Sequence, residues 1–589
     1  MGDSQDSSKP SDHPKYERKC EREFRKLLES GNHKTSSITY CQKKFVFSGN
    51  ANKKFKCDEH STCKDPQSNS TLFHVTDTEK SSHKTTSASV KCNIEKDFDS
   101  LFEILTHQYS PETKCQSVIS LAILCFENLS SMQLSATLNA LHCLSNSHES
   151  ETLAISHSLL LLTLSKNTLN LDQIIYLEEI ILKLAESVML NTNELGNESI
   201  VSKLSCLRGE EYLSAIKLCQ ELFSRKNIDF DAVDVLTLCC SSLSNLSCNK
   251  TGEKYKYKPS TLNFILGMTG KATQEIVSEN LVADDENDTS AIVSAPSHMV
   301  NQCLQILEHM LTVDPDLPCR TLDHEDFSLL HCLTRLFGWC MSFLFKKNHL
   351  EENHLQRVEK SLSSFHLATL LSILKILSIL SFNPDQYDTF TNIRGLMEKV
   401  MICILKAYYR SDEKHFDILV LALELMINFF MKNKKTFVLL CLKKFQINCS
   451  ENVHSIEALL KILTNSLDRI NEIKAKSLSR NSNGEQPETD GEHNPDDADM
   501  KSVLEAADED MELSTIVSFI SILLAFFLDT KMSFLDFIRD KFSSEKANEA
   551  ITVSKKVLQF ASITGGMPAT GILLLRHAIR KLGRLYTPT

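Results

Sequence analysis

The sequence predicts an all-α fold, a solenoid of stacked helical pairs preceded by a disordered N-terminal arm. Three observations carry that prediction. Beyond Asp97, apolar residues recur at i, i+3, i+4 and i+7 in one segment after another, and no alternating run of strand length interrupts them. Glycine and proline are scarce, 16 and 13 in 589 residues, too few for a turn-rich β sandwich or a Gly-rich nucleotide fold. The connections between apolar segments are short and polar, as stacked helical pairs require.

The arm is residues 1–94. It is rich in Ser, Thr, Lys, Asn and His and poor in aliphatic residues, and to Lys91 it holds 17 basic and 12 acidic residues, mildly basic on an acidic chain. Such a segment buries too little apolar area to offset about 1–2 kcal/mol of backbone entropy per residue. Its one candidate for order is Lys15 to Glu29, where Tyr16, Cys20, Phe24 and Leu27 form a stripe at helical spacing among charges. That stripe reads equally as a partner-binding helix or as a solvated, partly formed one.

The body, residues 95–585, is expected to be helical throughout. Periodic segments run through Phe102–Leu105, Val118–Leu129, Leu134–Leu144, Leu153–Leu164 and Ile174–Leu190, and after a weaker insert near 250–297 through Met299–Leu311, Phe327–Phe345 and Leu367–Phe382. They continue in Leu396–Tyr409, Ile418–Met431, Val438–Phe445, Ile456–Ile473 and a closing block from Met511. Three of these segments share a signature: Leu121-Ala122 before Asn128-Leu129, Leu238-Cys239 before Asn245-Leu246, and Leu421-Ala422 before Asn428-Phe429. A small residue that admits a neighbouring helix, followed by an Asn that ends its own, suits the inner helix of a HEAT or armadillo unit. Polar starts near Glu112 and Ser150, and near Glu413 and Val453, fall about 40 residues apart, the repeat length of those units.

Gly484, Pro487, Gly491 and Pro495 break the periodicity, and an acidic loop is expected near 480–510. From Glu485 to Asp510 there are 11 acidic residues against Lys501 alone, a net −10 out of the chain's −12. The first reading of this run is a solvated loop that favours solubility. The second is an interaction loop for a basic partner, with Asp496, Asp497 and Asp499 as contacts.

Composition excludes several functions. An acidic chain does not coat DNA unaided, because phosphate neutralisation needs clustered Lys and Arg. The polar stretch Met1–Pro14 has no apolar h-region, and most of the 20 cysteines stand singly among apolar neighbours, so a reducing, intracellular location is expected. The run Leu513–Leu528 is 16 residues with four hydroxyls, shorter than the roughly 20 apolar residues of a membrane span, and reads as a buried core helix.

No catalytic constellation is found, and neither metal nor cofactor is expected. Gly267–Thr273 resembles a phosphate loop but has Ile265 and Ala272 where Gly and a hydroxyl are needed. His148-Glu149 and His324-Glu325 each begin a zinc-protease motif, and Thr152 and Ser328 stand where the second His belongs. Cys57, His60 and Cys63, with Cys41 or His74, match no common zinc module and read as incidental thiols. Cys239-Cys240 read as packing residues, and His142, His157 and His366 as interior or groove histidines.

Four segments resemble the Wings apart-like family of cohesin-release factors. They are Phe98–Glu127 with its Ser117-Val118-Ile119-Ser120-Leu121-Ala122, Ser158–Leu184 with the turn Leu164–Asp172, Phe416–Phe429 followed by Val453–Leu460, and the acidic insert running into Met511–Leu528. The resemblance implies a HEAT-repeat domain without enzymatic activity, in the nucleus on chromatin. It would bind the kleisin, the stromal-antigen subunit and the Smc ATPase head of cohesin together with the Pds-type HEAT partner. It would release cohesin by opening the Smc–kleisin gate, with no direct contact to nucleic acid or membrane. Animal members dock through Phe-Gly-Phe and Tyr-Ser-Arg motifs. Here Phe45-Val46-Phe47-Ser48-Gly49 is a loose counterpart, which makes Phe45 and Phe47 candidate contacts beside Tyr16, Phe24 and Leu27, and Tyr109-Ser110 runs into Pro111 instead of Arg. The alternative is a generic HEAT or armadillo adaptor unrelated to cohesin.

Overall fold

The computed structural model describes the chain from Ser100 to Tyr586 apart from connecting segments, the longest being 142–150, 192–203, 224–232, 283–294, 318–328, 345–355, 382–389 and 483–495. The described residues fall into two compact units. One takes those up to Glu253 together with 292–302, the other Lys254–Ala291 and the chain from Cys303.

In the first unit, sequence signals set each helix start. Helix α1 (Pro111–Glu127) begins where the Ser110 hydroxyl accepts the Thr113 N–H at 3.2 Å, with proline in the first helical position, where a missing N–H costs nothing. So Ser110 and Pro111 of the Tyr-Ser-Pro sequence serve as a helix start. Helix α2 (Glu151–Ser165) is apolar on every side and lies central, against α1, α3 (Leu171–Asn191) and α5 (Val235–Asn249), with Leu159, Leu160 and Leu161 fully enclosed. Helix α4 (Glu210–Phe223) packs on α1. Asn170 and Gln173 cap α3 reciprocally, each side chain accepting the other's backbone N–H at 2.9 and 3.0 Å. Asp234 caps α5 by accepting both the N–H and the hydroxyl of Thr237.

The second unit is a helical-repeat array. Its helices are α6 (Pro259–Val282), the part from Cys303 of α7 (Ala295–Val313), α8 (Leu329–Leu344), α9 (Gln356–Ser381), α10 (Leu396–Tyr408) and α11 (His415–Lys432). After them come α12 (Ser455–Ser482), α13 (Asp496–Thr530), the short α14 (Met532–Lys541), α15 (Ser544–Thr564) and α16 (Ala569–Arg584). Pairs α8/α9, α10/α11, α12/α13 and α15/α16 pack internally, and like stacks on like: α6, α8, α10, α12 and α15 in one row, α9, α11, α13 and α16 in the other. That like-on-like stacking defines a HEAT-type repeat. Gly395 and Gly565, at φ 84° and 64°, provide the left-handed residues that start α10 and end α15.

Helices rich in Ser and Thr form this core because their hydroxyls return to their own helix. Thr163, Ser242, Thr269, Thr273, Thr515 and Ser521 each donate to the carbonyl four residues back at 2.6–2.9 Å, so these six hydroxyls stay satisfied in the helices that carry them. The same device accounts for α6, a 24-residue helix inside the stretch read as a weak insert near 250–297. Gly267–Thr273 lies in the middle of α6 and is not a loop at all. Among the described residues, two helices are long and apolar enough to cross a membrane, around Ser364–Ser381 and Glu505–Asp529. Their windows are 67% and 78% buried in the array, as core helices are.

Three expectations are corrected. The acidic loop expected near 480–510 is helical up to Ser482 in α12 and again from Asp496 in α13, where eight acids lie on helix between Asp496 and Glu512. Their charge hid the helix because the expectation followed apolar periodicity alone. The helix expected over Val438–Phe445 does not reach its expected end: Leu440 is helical, but Lys444 and Phe445 belong to strand β1 (Lys444–Asn448), paired antiparallel with β2 (Glu451–His454). Phe445 faces Val453, and both are buried, with the strands packed on α10 and α12; so short a hairpin holds only with such cover. At two of the three sites the repeated Asn does not end its helix: α5 and α11 run on past Asn245 and Asn428 to Asn249 and Lys432, while Asn128 lies outside the described residues.

Candidate interaction surface

The repeated Asn ties one inner helix to the one before it. Asn245 Nδ2 on α5 donates to Ser165 Oγ at the end of α2 at 3.0 Å, and Asn428 Nδ2 on α11 donates to Ser381 Oγ at the end of α9 at 2.9 Å. The small residues upstream, Cys239 and Ala422, are fully buried, as close helix approach requires. The family-like turn Leu164–Asp172 is held at several points. Lys166 Nζ reaches the Leu222 carbonyl at 3.2 Å, Asn167 Nδ2 donates to the Thr163 carbonyl at 3.1 Å, and Asn170 caps α3.

Ionisable side chains form a line across α7, α9, α11 and α13. Glu308 on α7 accepts from Ser372 Oγ at 3.0 Å and pairs with Lys375 Nζ at 2.8 Å, both on α9. Lys375 also acts on Asp417 in the first turn of α11. Burial pushes the Asp417 carboxyl above its ordinary range, and Lys375, Lys414 and His415 only partly offset it. On α13, Glu512 is pushed up as well, first by burial and then by Asp417, Asp508 and Glu509, against relief from His415. Half-buried carboxylates that repel one another gain from an incoming cation, so this line is suited to Lys- or Arg-bearing partners. Nearby Glu424, on the α11 face toward Ser378, is raised to about 7 by burial, with the Ser378 hydroxyl opposing.

The predicted contacts fare differently. Tyr16, Phe24, Leu27, Phe45 and Phe47, and the Cys57–His60–Cys63 group, lie outside the described residues. Asp496, Asp497 and Asp499 form the first turn of α13. Sequence reasoning missed Glu308, Lys375, Asp417 and Glu512; the available signal was the presence of charges within otherwise apolar helices, such as Asp417 in Phe416–Phe429.

Burial pushes the thiols of Cys125, Cys219 and Cys403 up to about 12, and Cys239 and Cys340 higher still, which makes them packing residues and not nucleophiles. His157 is fully buried on α2. His366 stacks face to face on Phe343 at 3.7 Å beside Trp339. Among the described residues no group of His, Cys, Asp or Glu is arranged to hold a metal ion.

No curated protein sequence matches the chain. Residues 80–436, which span α1 through α11, match the family described as Wings apart-like protein regulation of heterochromatin. With more than half of its length matched and its helices stacked as repeats, the chain belongs to the Wings apart-like family, a family of regulators and not of enzymes.

Proposed function

We propose that this chain is a non-enzymatic, nuclear regulator of sister-chromatid cohesion that binds the cohesin complex and promotes its release from chromatin by opening the Smc–kleisin gate. The family match over 80–436 carries the reading. The stacked array supports it, since extended helical-repeat surfaces suit protein partners and the half-buried carboxylates of Asp417 and Glu512 suit basic ones. The partners are the kleisin, the stromal antigen, the Smc ATPase head and the Pds-type HEAT protein. Asp496, Asp497 and Asp499 extend the acidic surface, and Phe45 and Phe47 or the Tyr16, Phe24 and Leu27 stripe provide short docking segments.

The test is co-precipitation of the tagged full chain from nuclear extract, with kleisin and stromal antigen as readout, beside residues 95–589 alone. Recovery by both supports the reading and assigns docking to the helical body. Recovery by the full chain alone moves docking to the arm. If neither recovers cohesin while circular dichroism shows both to be helical, the chain is an adaptor of another kind.

A further inference from the structure

The charge of the chain is distributed unevenly. From Ile551 to Thr589 there are six cations (Lys555, Lys556, Arg576, Arg580, Lys581 and Arg584) and no Asp or Glu, in a protein of net charge −12. These residues belong to α15 and α16, and the fold decides which of them face water. On α16, Leu574, Leu575, Ala578 and Leu582 are buried against the array, while Arg576, Arg580 and Arg584 recur every four residues on the opposite side. Arg576 and Arg584 are exposed and Arg580 is half-buried. Lys581 and His577 turn instead to Asp529 on α13, His577 Nε2 at 2.7 Å.

Apolar groups are interleaved with these cations. On α15, Lys556, Phe560 and Ile563 follow one another at helical spacing, and Phe560 and Ile563 are 39% and 77% exposed. On the first turn of α16, Ile572 and Leu573 are only half-buried. These four apolar residues flank the α15–α16 turn, where Met567 folds against Gly571 so closely that a Cβ there would lie 2.7 Å from its Cγ. From that turn the exposed pair Lys555-Lys556 lies back along α15, and the arginine row runs forward along α16.

We propose that this basic, apolar-studded face is a docking surface for an acidic amphipathic helix of a partner protein. The two components of the face select that occupant. Phosphates reward the cations but gain nothing from an exposed Ile563 and Phe560, whereas a helix with Leu on one stripe and Glu beside it satisfies both. Helix α16 has 16 residues, about 24 Å, enough to match four turns of a bound helix. This inference stands apart from the cohesin reading, because it rests on α15 and α16, which lie beyond the matched residues 80–436.

The test measures binding of a fluorescein-labelled 16-residue helical peptide, Leu at i, i+3, i+4 and i+7 and Glu elsewhere, to the full-length chain by anisotropy. A peptide with Gln for Glu and a 20-base-pair DNA duplex are the comparisons. We expect the Glu peptide to bind at least tenfold tighter than the Gln peptide. R576E/R580E/R584E should weaken it at least tenfold, and Ile563→Asp, at a solvent-exposed site, at least threefold. K183E/K217E/K461E, which makes the same charge change at exposed lysines elsewhere, should leave it within twofold. Equal binding of the two peptides, an unaffected triple-arginine variant, or equal loss in the lysine control overturns the proposal. Duplex binding tighter than the peptide and insensitive to Ile563→Asp overturns it in favour of a phosphate site. Thermal melts of every variant within a few degrees of wild type confirm that the losses are local.

Discussion

Asn428 shows how one residue is read twice. In the sequence it is a repeated polar residue near a helix end. In the structure it is a fully buried amide that donates to Ser381 and so fastens α11 to α9. Asn428→Ala removes that bond and leaves the Ser381 hydroxyl without it, which costs about 1–2 kcal/mol of stability. Asn245→Ala does the same between α5 and α2 in the other unit. Urea unfolding of each single variant measures the two losses, and the double variant should show their sum, because the sites share no partner. Glu424 gives a pH-dependent prediction. Its folded carboxyl is raised to about 7 against an ordinary value of 4.5, so the fold favours the protonated form. Stability from this group is therefore present below about pH 4.5 and is lost as pH rises toward 7. Glu424→Gln should leave stability nearly unchanged at pH 4 and raise it by about 3 kcal/mol at pH 8, as denaturation at the two pH values will show. An equal effect at both would contradict the assignment.

At the scale of the element, α13 carries two kinds of sequence on one rod. Its start is acidic, and the part from Glu505 to Asp510 is exposed or half-buried, whereas Leu513 to Phe527 is almost wholly enclosed in the repeat array. Periodicity made the second half legible and the first half look like a loop, because eight acids among the 17 residues from Asp496 to Glu512 leave little apolar stripe to read. The hydroxyls in the buried half are structural: Ser521→Ala should cost under about 1 kcal/mol, since donor and acceptor stay within one helix, whereas neighbouring Leu523→Ala should cost about 2–5 kcal/mol for its cavity. Calorimetric melting temperatures separate the two; a Ser521 loss as large as that of Leu523 would contradict the back-bonding account. The β1–β2 hairpin was illegible for a different reason. Nine strand residues with one buried pair, Phe445 and Val453, resemble the end of an apolar helix until the strands are placed on α10 and α12.

At the scale of the whole molecule, the all-α class and the helical pairs were legible because every pair must bury the same kind of stripe. The repeat signature was visible for the same reason, since Ala422 and Cys239 occupy equivalent close-packed places. The charged line was not, because Glu308, Lys375, Asp417 and Glu512 are spread over some 200 residues and meet only when like helices stack on like. Family membership rests on residues 80–436, and the releasing activity is the claim that stands on it. The measurement that tests it most directly is to incubate isolated chromatin with the purified full-length chain and to follow the kleisin remaining on the pellet. The account predicts that kleisin moves to the supernatant in proportion to added chain, and that a version bearing Asp417→Lys and Glu512→Lys, still helical, releases less. Kleisin that stays on chromatin at every concentration, with the chain folded and able to co-precipitate cohesin, would contradict release as its function.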